Sequence, residues 1–285
     1  MTTIDPRTRV GMVRLIVADL ARARGFYERA LGLRDLGGDG DTARLGADGA
    51  ALVELTGRPD APRRPSRSTG LFHFAILVPS RPELARALHR LVDAGWPLSG
   101  ASDHLVSEAL YLRDPEGNGI EVYRDRPRER WYAERKVRMA TLPLDLDGLA
   151  REAGAAAPAA DDMPPDTRVG HVHLQVADLA ETEAFYRGML GFEVTVRDYP
   201  GALFFSAGGY HHHVGANTWG SAGAPAPPAG SAGLSSFEVV LPSAAELERV
   251  CARAREAGAA TQPIESGVRL SDPSGNRLVL TTVDG

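Results

Sequence analysis

Cysteine is almost absent from this sequence: Cys251 is the single cysteine among 285 residues. An internal disulfide and a cysteine-rich zinc site are therefore excluded, which fits a protein kept in a reducing cytosol. No apolar run approaches the roughly 20 residues that cross a bilayer, and the amino terminus, MTTIDPRTRVGMV, has no apolar signal core. Basic charge is not in excess either, since 32 Lys and Arg stand against 37 Asp and Glu. These absences predict a cytoplasmic protein that binds neither nucleic acid nor a membrane.

Internal repetition is the most informative feature that the sequence does have. The segment VGMVRLIVADLARARGFYERALGLRDL, from Val10, matches VGHVHLQVADLAETEAFYRGMLGFEVT, from Val169, almost position by position. Each copy predicts a strand, a helix that begins after Asp19 or Asp178, and a further strand. A glycine, Gly32 or Gly191, follows each helix, as is typical of helix carboxyl ends.

A second pair of segments is also alike. GLFHFAILVPSRPELARALHRLVDAG, from Gly70, parallels GLSSFEVVLPSAAELERVCARAREAG, from Gly233. A turn of the Asp-Pro-x-Gly-Asn type follows each of them and leads into a final strand.

The chain therefore divides into four repeats, each predicted to be a strand, a helix and three further strands. We define repeats 1 to 4 as residues 8–57, 68–125, 167–219 and 231–283. The predicted domains are residues 1–125 and 167–285. Residues 126–166 form a linker between them, because the stretch GLAREAGAAAPAADDMPPD is rich in Pro, Ala and Asp.

The order βαβββ, the motif FYxxxLG and the motif DPxGNxxE resemble those of the vicinal oxygen chelate superfamily. Its members include glyoxalases, bleomycin- and fosfomycin-resistance proteins and extradiol ring-cleaving dioxygenases. The resemblance implies an α+β fold in which four βαβββ modules form two cupped mixed β-sheets. One such scaffold hosts several reactions, so the fold does not fix the chemistry.

In this superfamily the metal ligands come from the first and last strands of the repeats. The matching positions hold His73 and Glu121 in repeat 2 and His171 in repeat 3. Two imidazoles and one carboxylate form the facial triad of non-heme iron(II) enzymes, although Mn(II) and other divalent ions accept the same ligands. The expected site is therefore an iron site to which repeats 2 and 3 contribute jointly.

The same positions in repeats 1 and 4 have lost ligand-type residues: they hold Met12, Ser236 and Val279, with Glu54 as the remaining carboxylate. These two repeats are expected to be structural. The alternative pairing, repeat 1 with 2 and repeat 3 with 4, would separate His171 from the other two ligands and leave an incomplete site in each half.

Three adjacent histidines, His211 to His213, lie in the segment YHHHVGA. If this segment is a strand, only His211 and His213 share a face, so the run cannot supply three ligands by itself. It resembles the segment of extradiol dioxygenases in which the second histidine of a pair is the catalytic acid/base group, a role that falls on His212. His173 shares a face with His171, and substrate contacts of His173, His211 and His213 are left open.

Two further residues match substrate-binding positions of extradiol dioxygenases. Tyr111 lies ten residues before Glu121, the spacing of a tyrosine that hydrogen-bonds the substrate in that family. His104, in SDHLVSEALY, resembles a histidine that faces the substrate.

The long segments GLFHFAILVPSR, GASDHLVSEALYLRDPEGNGIEVY and GYHHHVGANTW are most similar to proteins of the catechol 2,3-dioxygenase type. The resemblance implies an Fe(II)-dependent extradiol dioxygenase that uses O₂ as co-substrate and a small catechol-like diol as substrate. It also allows a homodimer, since members of the superfamily often form dimers.

Two alternatives remain open. The first is a non-redox glyoxalase-type isomerase, lyase or thiol transferase using Zn²⁺, Ni²⁺ or Mn²⁺. Glyoxalases typically have a fourth ligand where this chain has Val214, which disfavours that alternative. The second is a non-catalytic small-molecule binding protein like the bleomycin-resistance proteins; aromatic residues make up only 6% of the chain, which argues against a broad aromatic cavity.

Overall fold

The computed structural model describes residues 3–134, 136–152 and 162–283. Repeats 1 and 2 comprise β1 (Arg9–Val17), α1 (Leu20–Arg29), β2 (Arg34–Asp35), β3 (Thr42–Ala47), β4 (Ala50–Gly57), β5 (Gly70–Leu77), α2 (Arg81–Asp93), β6 (Gly100–Asp103), β7 (Ser107–Arg113) and β8 (Gly119–Asp125). Next come a 3₁₀ turn (Arg128–Arg130), β9 (Tyr132–Ala133), β10 (Lys136–Val137), β11 (Leu142–Pro143) and α3 (Leu146–Glu152). Residues 153–161 of the predicted linker lie outside the described residues.

Repeats 3 and 4 have the same order of elements. They comprise β12 (Arg168–Gln175), α4 (Leu179–Glu183), which a π-helical turn (Ala184–Met189) continues, β13 (Glu193–Val196), β14 (Ala202–Ser206), β15 (Val214–Asn217), β16 (Gly233–Leu241), α5 (Ala244–Glu256), β17 (Gln262–Ile264), β18 (Gly267–Ser271) and β19 (Arg277–Thr282). The predicted α+β class and the fourfold βαβββ order are confirmed.

The helices begin and end where the sequence predicts. The side chains of Asp19 and Asp178 each accept a hydrogen bond from a backbone N–H in the first turn of α1 and α4. Past the other end, Gly32 and Gly191 have φ values of 76° and 85°, a left-handed conformation that suits glycine. Among the described residues, no helix combines the length and the apolar character that a membrane crossing would need.

The chain forms two compact units. Unit A consists of Leu15–Ala61 and His73–Val169, and unit B of Met1–Arg14, Pro62–Phe72 and Gly170–Gly285. In unit A the strand order is β11-β6-β7-β8-β5, with β5 parallel to β8 and β7 antiparallel to β8.

Unit B repeats this mixed arrangement in the order β12-β15-β14-β13 and again in β17-β18-β19-β16. The pairs β12–β15 and β16–β19 are parallel, and the remaining pairs in these runs are antiparallel. In each of these runs the parallel pair joins the first and last strands of one repeat, which brings together the strands that carry the expected ligands.

The two signature motifs meet through a buried hydrogen bond. Tyr27, of the first FYxxxLG motif, donates its hydroxyl proton to Asp114 of the turn in repeat 2, at 3.0 Å. Tyr186 does the same to Asp272 of repeat 4, at 3.3 Å. Burial holds the pKa of both tyrosines well above its usual value, so their hydroxyls remain donors at neutral pH. We name this contact the tyrosine latch.

Each latch also organises the turn that it reaches. Asp114 accepts hydrogen bonds from the backbone N–H groups of Glu116 and Asn118 and from the Asn118 side chain. The turn sets the start of β8, the strand in which Glu121 lies.

Candidate metal centre

Two predicted ligands lie on neighbouring parallel strands of unit A. Glu121 in β8 is in register with Ala75 in β5, and His73 lies two residues before Ala75 on the same face of that strand. The His73 Nε2 atom is 3.0 Å from Glu121 Oε2. Glu121 is only 2% exposed. A carboxylate so removed from water needs a cation or hydrogen-bond donors to offset its lost hydration.

The third predicted ligand, His171, comes from β12 and is 1% exposed. His73, Glu121 and His171 each offer one ligand atom, and these atoms all lie within 4.8 Å of one another. Atoms bound to one ion at about 2.1 Å are roughly 3–4 Å apart, so small side-chain adjustments would complete the site. In the part of the chain that the structure describes, this is the one such group of three or more residues.

The corresponding positions of repeats 1 and 4 have a different arrangement. Near Met12, Arg14 forms an ion pair of 2.7 Å with Glu238, and the Met12 backbone N–H donates to the same carboxylate. Glu54 pairs with Arg44 at 2.9 Å. Both carboxylates are therefore neutralised by arginine, which agrees with a structural role for these repeats.

The three histidines do not lie in a strand. Two glycines, Gly208 and Gly209, have φ values of 61° and 67° and form a turn, and β15 begins only at Val214. The run is therefore irregular, and the Nδ1 atoms of His211 and His212 lie 2.8 Å apart, a contact that alternating strand side chains would not make.

His213 and His212 make different contacts. His213 Nδ1 accepts a hydrogen bond from the backbone N–H of Ala207, so His213 stabilises the turn. His212 instead packs against His171, with 4.1 Å between ring centroids. The residue expected to move protons therefore lies directly beside an expected ligand.

Tyr111 and His104 are hydrogen-bonded to each other in unit A. Tyr111 is in register with Glu121, and its ring centroid is 5.6 Å from that of His73. His104 Nδ1 is 2.6 Å from the Ala140 carbonyl oxygen, and His104 Nε2 is 2.7 Å from the Tyr111 hydroxyl. A carbonyl oxygen can only accept a hydrogen bond, so His104 Nδ1 must carry a proton and donate it to this bond. In the neutral ring Nε2 then has no proton and accepts a hydrogen bond from the Tyr111 hydroxyl.

Sequence reasoning missed a group of aromatic residues near the histidines. Phe72, Phe204 and Trp219 surround His173, with ring centroids 5.2 to 5.6 Å from its own. The low overall aromatic content concealed them, because they lie far apart in the chain. One local pattern does indicate them. Phe204 and Phe205 are adjacent in β14 and therefore point to opposite faces of the sheet, where Phe204 contacts His173 and Phe205 packs on Tyr186.

Comparison with known proteins gives matches over nearly the whole chain. The family model described as Glyoxalase/Bleomycin resistance protein/Dioxygenase superfamily matches residues 9–122 and 168–280. A curated protein of Bacillus subtilis (strain 168), named Catechol-2,3-dioxygenase, is 45% identical over 279 residues, covering 96% of each chain. The crystal structure of glyoxalase I from Zea mays is 17% identical with a TM-score of 0.58, covering 96% of this chain and 92% of that one. This last likeness concerns the fold alone.

Proposed function

The chain belongs to the Glyoxalase/Bleomycin resistance protein/Dioxygenase superfamily, and within it we propose an extradiol ring-cleaving dioxygenase that acts on a catechol-like aromatic diol. The convergence of His73, Glu121 and His171 is the observation that carries this proposal. The 45% identity to the Bacillus subtilis protein supports it along nearly the full length of both chains.

The donor set fits iron(II). Two imidazoles and one carboxylate leave further coordination positions available, which suits an ion that must accept other molecules. When bound, iron(II) would supply the redox chemistry that the reaction of a diol with O₂ requires. Mn(II) fits the same donors. The buried Glu121 carboxylate provides a negative charge for the ion, and both imidazoles bind it in their neutral form.

His212 is the proposed acid/base residue. Its Nδ1 atom is engaged with His211, so we assign proton exchange with the substrate to its Nε2 atom. Imidazole titrates near neutral pH, so His212 can take a proton from a catechol hydroxyl and return it as the ring is cleaved. The contact of its ring with that of His171, a proposed metal ligand, supports this assignment.

Tyr111 and His104 orient the substrate in this proposal. Because the Tyr111 hydroxyl donates its hydrogen bond to the neutral His104 ring, the Tyr111 oxygen presents its lone pairs to the substrate as an acceptor. The Ala140 carbonyl fixes the His104 ring in this tautomer.

The cytoplasmic location and the homodimer stay predictions.

Loading with metal tests the proposed function directly. Protein reconstituted anaerobically with Fe(II) should consume O₂ when a catechol is added and form a yellow ring-opened product. The matched sample loaded with Zn²⁺ should do neither, because zinc has no redox chemistry. Turnover of a glyoxalase-type substrate with Zn²⁺, and of no catechol with Fe(II), would refute the dioxygenase proposal.

Replacing Tyr111 by phenylalanine tests the orienting pair. Tyr111→Phe keeps the ring against His73 but removes the hydroxyl, and we expect kcat/KM for catechol to fall roughly 10- to 100-fold. Bound iron, measured by elemental analysis, should be unchanged. Tyr132→Phe, at an exposed tyrosine on β9, is the control and should retain full activity. Unchanged kcat/KM in Tyr111→Phe would remove this residue from the mechanism.

A further inference from the structure

Aromatic rings continue from His212 to the molecular surface in unit B. Phe204 lies 5.0 Å from His212 between ring centroids, and His173 lies 5.6 Å beyond Phe204. Three more rings extend this contact outward. We name the whole set the aromatic wall; its members are Phe72, His173, Tyr199, Phe204 and Trp219.

A glycine makes room for the inner part of the wall. His173 of β12 and Phe204 of β14 are both in register with Gly215 of the intervening β15. A β-carbon at Gly215 would lie 3.0 Å from the His173 ring. The imidazole thus lies over the glycine and reaches Phe204 across the middle strand.

Trp219 forms the outer end of the wall and is 49% exposed. Its indole N–H donates to the Pro200 carbonyl oxygen at 2.8 Å, and its ring packs 5.4 Å from Phe72 and 6.2 Å from Tyr199. Because its ring is held by a hydrogen bond and by two neighbouring rings while half of it faces water, Trp219 presents a fixed apolar surface that continues the buried aromatic contacts.

Exposure decreases steadily along the wall. Trp219 is exposed, Phe72 and Tyr199 are half-buried, and Phe204 and His173 are buried. No member carries a carboxylate, an ammonium or a guanidinium group. The chemistry of the wall therefore suits an apolar, planar group that extends outward from the diol site.

We propose that the aromatic wall binds an apolar, planar substituent on the ring of the diol, and that Trp219 determines this preference. The inference rests on the proposed function for the position of the diol itself. The substrate class is then an aryl-substituted catechol.

Anaerobic equilibrium dialysis tests the proposal without turnover. The probes are catechol, 3-phenylcatechol and 4-phenylcatechol, each with the Fe(II)-loaded protein. In Trp219→Ala we expect the Kd of the tighter-binding phenylcatechol to rise about tenfold, because the aromatic contact and its buried area are lost. The Kd of catechol should change less than about twofold, since it lacks the group that reaches the wall.

Trp96→Ala is the matched control. Trp96 is also partly exposed and donates its indole N–H to a backbone carbonyl, that of Arg113, but it packs on Phe26 in unit A. Its replacement should leave every Kd unchanged.

Three outcomes would overturn the proposal. They are an equal change in Kd for catechol and the phenylcatechols in Trp219→Ala, no change in either Kd, and no binding of phenylcatechols by the unaltered protein. The proposed function can fail separately. If Trp219→Ala selectively weakens the binding of phenylcatechols, but the Fe(II)-loaded protein consumes no O₂ with any catechol, the role of the aromatic wall is supported and the dioxygenase proposal is refuted.

Discussion

Replacing His171 by alanine should leave the protein folded but unable to retain iron. Loss of a residue that only orients a ligand typically lowers metal affinity by about 10- to 100-fold, and loss of a ligand itself should lower it by at least about 100-fold. His73 and Glu121 would remain as two donors, too few to hold the ion through gel filtration. We expect turnover to disappear together with the metal, and elemental analysis after anaerobic loading measures the first of these effects.

The same strand supplies the control for this experiment. His173 lies two residues after His171 on the same face of β12 and is equally buried, but it is not among the three clustered residues. His173→Ala should therefore keep its iron. Circular dichroism would establish that both variants fold. Full iron retention in His171→Ala, or loss in both variants alike, would contradict the proposed ligand set.

Replacing His212 by alanine should separate metal binding from catalysis. The variant should retain iron and bind catechol anaerobically, yet kcat should fall by about 10²- to 10⁴-fold, the usual contribution of a general acid/base residue. Steady-state O₂ uptake gives kcat, and elemental analysis of the same sample gives the iron content.

The close contact of His212 with His171 makes this a demanding test. Rings 4.1 Å apart between centroids could also share the ion, in which case His212→Ala would lose iron and activity in the same proportion. That outcome would make His212 a ligand and end its assignment as acid/base. His89→Ala is the control, because His89 lies on α2, where its ring bonds the Ala150 carbonyl, and should change neither quantity.

The sequence predicted well wherever a feature depends on local pattern. The four repeats and the caps at Asp19 and Asp178 follow from strand and helix periodicity together with the position of each residue in a recurring unit. The ligand set of His73, Glu121 and His171 came from the resemblance to the superfamily and stays a prediction, which the clustering of these three residues supports. Within repeat 2, the parallel pairing of the first and last strands explains why His73 and Glu121 are close in space.

Two features could not be predicted in this way. The histidine run departs from strand geometry because Gly208 and Gly209 turn the chain just before it, and the sequence pattern does not reveal where β15 begins. The aromatic wall needs Phe72 and Trp219 to meet across about half the chain, and such a contact is set by tertiary packing alone.

The tyrosine latch links the repeats in pairs. Tyr27 reaches from repeat 1 into repeat 2, and Tyr186 from repeat 3 into repeat 4, so a single repeat holds only one partner of each bond. A repeat by itself would leave a buried phenol or a buried carboxylate without its partner, at a cost of about 1–3 kcal/mol for the neutral group and more for the charged one. A pair of repeats is therefore the smallest segment of the chain that contains both partners of a latch.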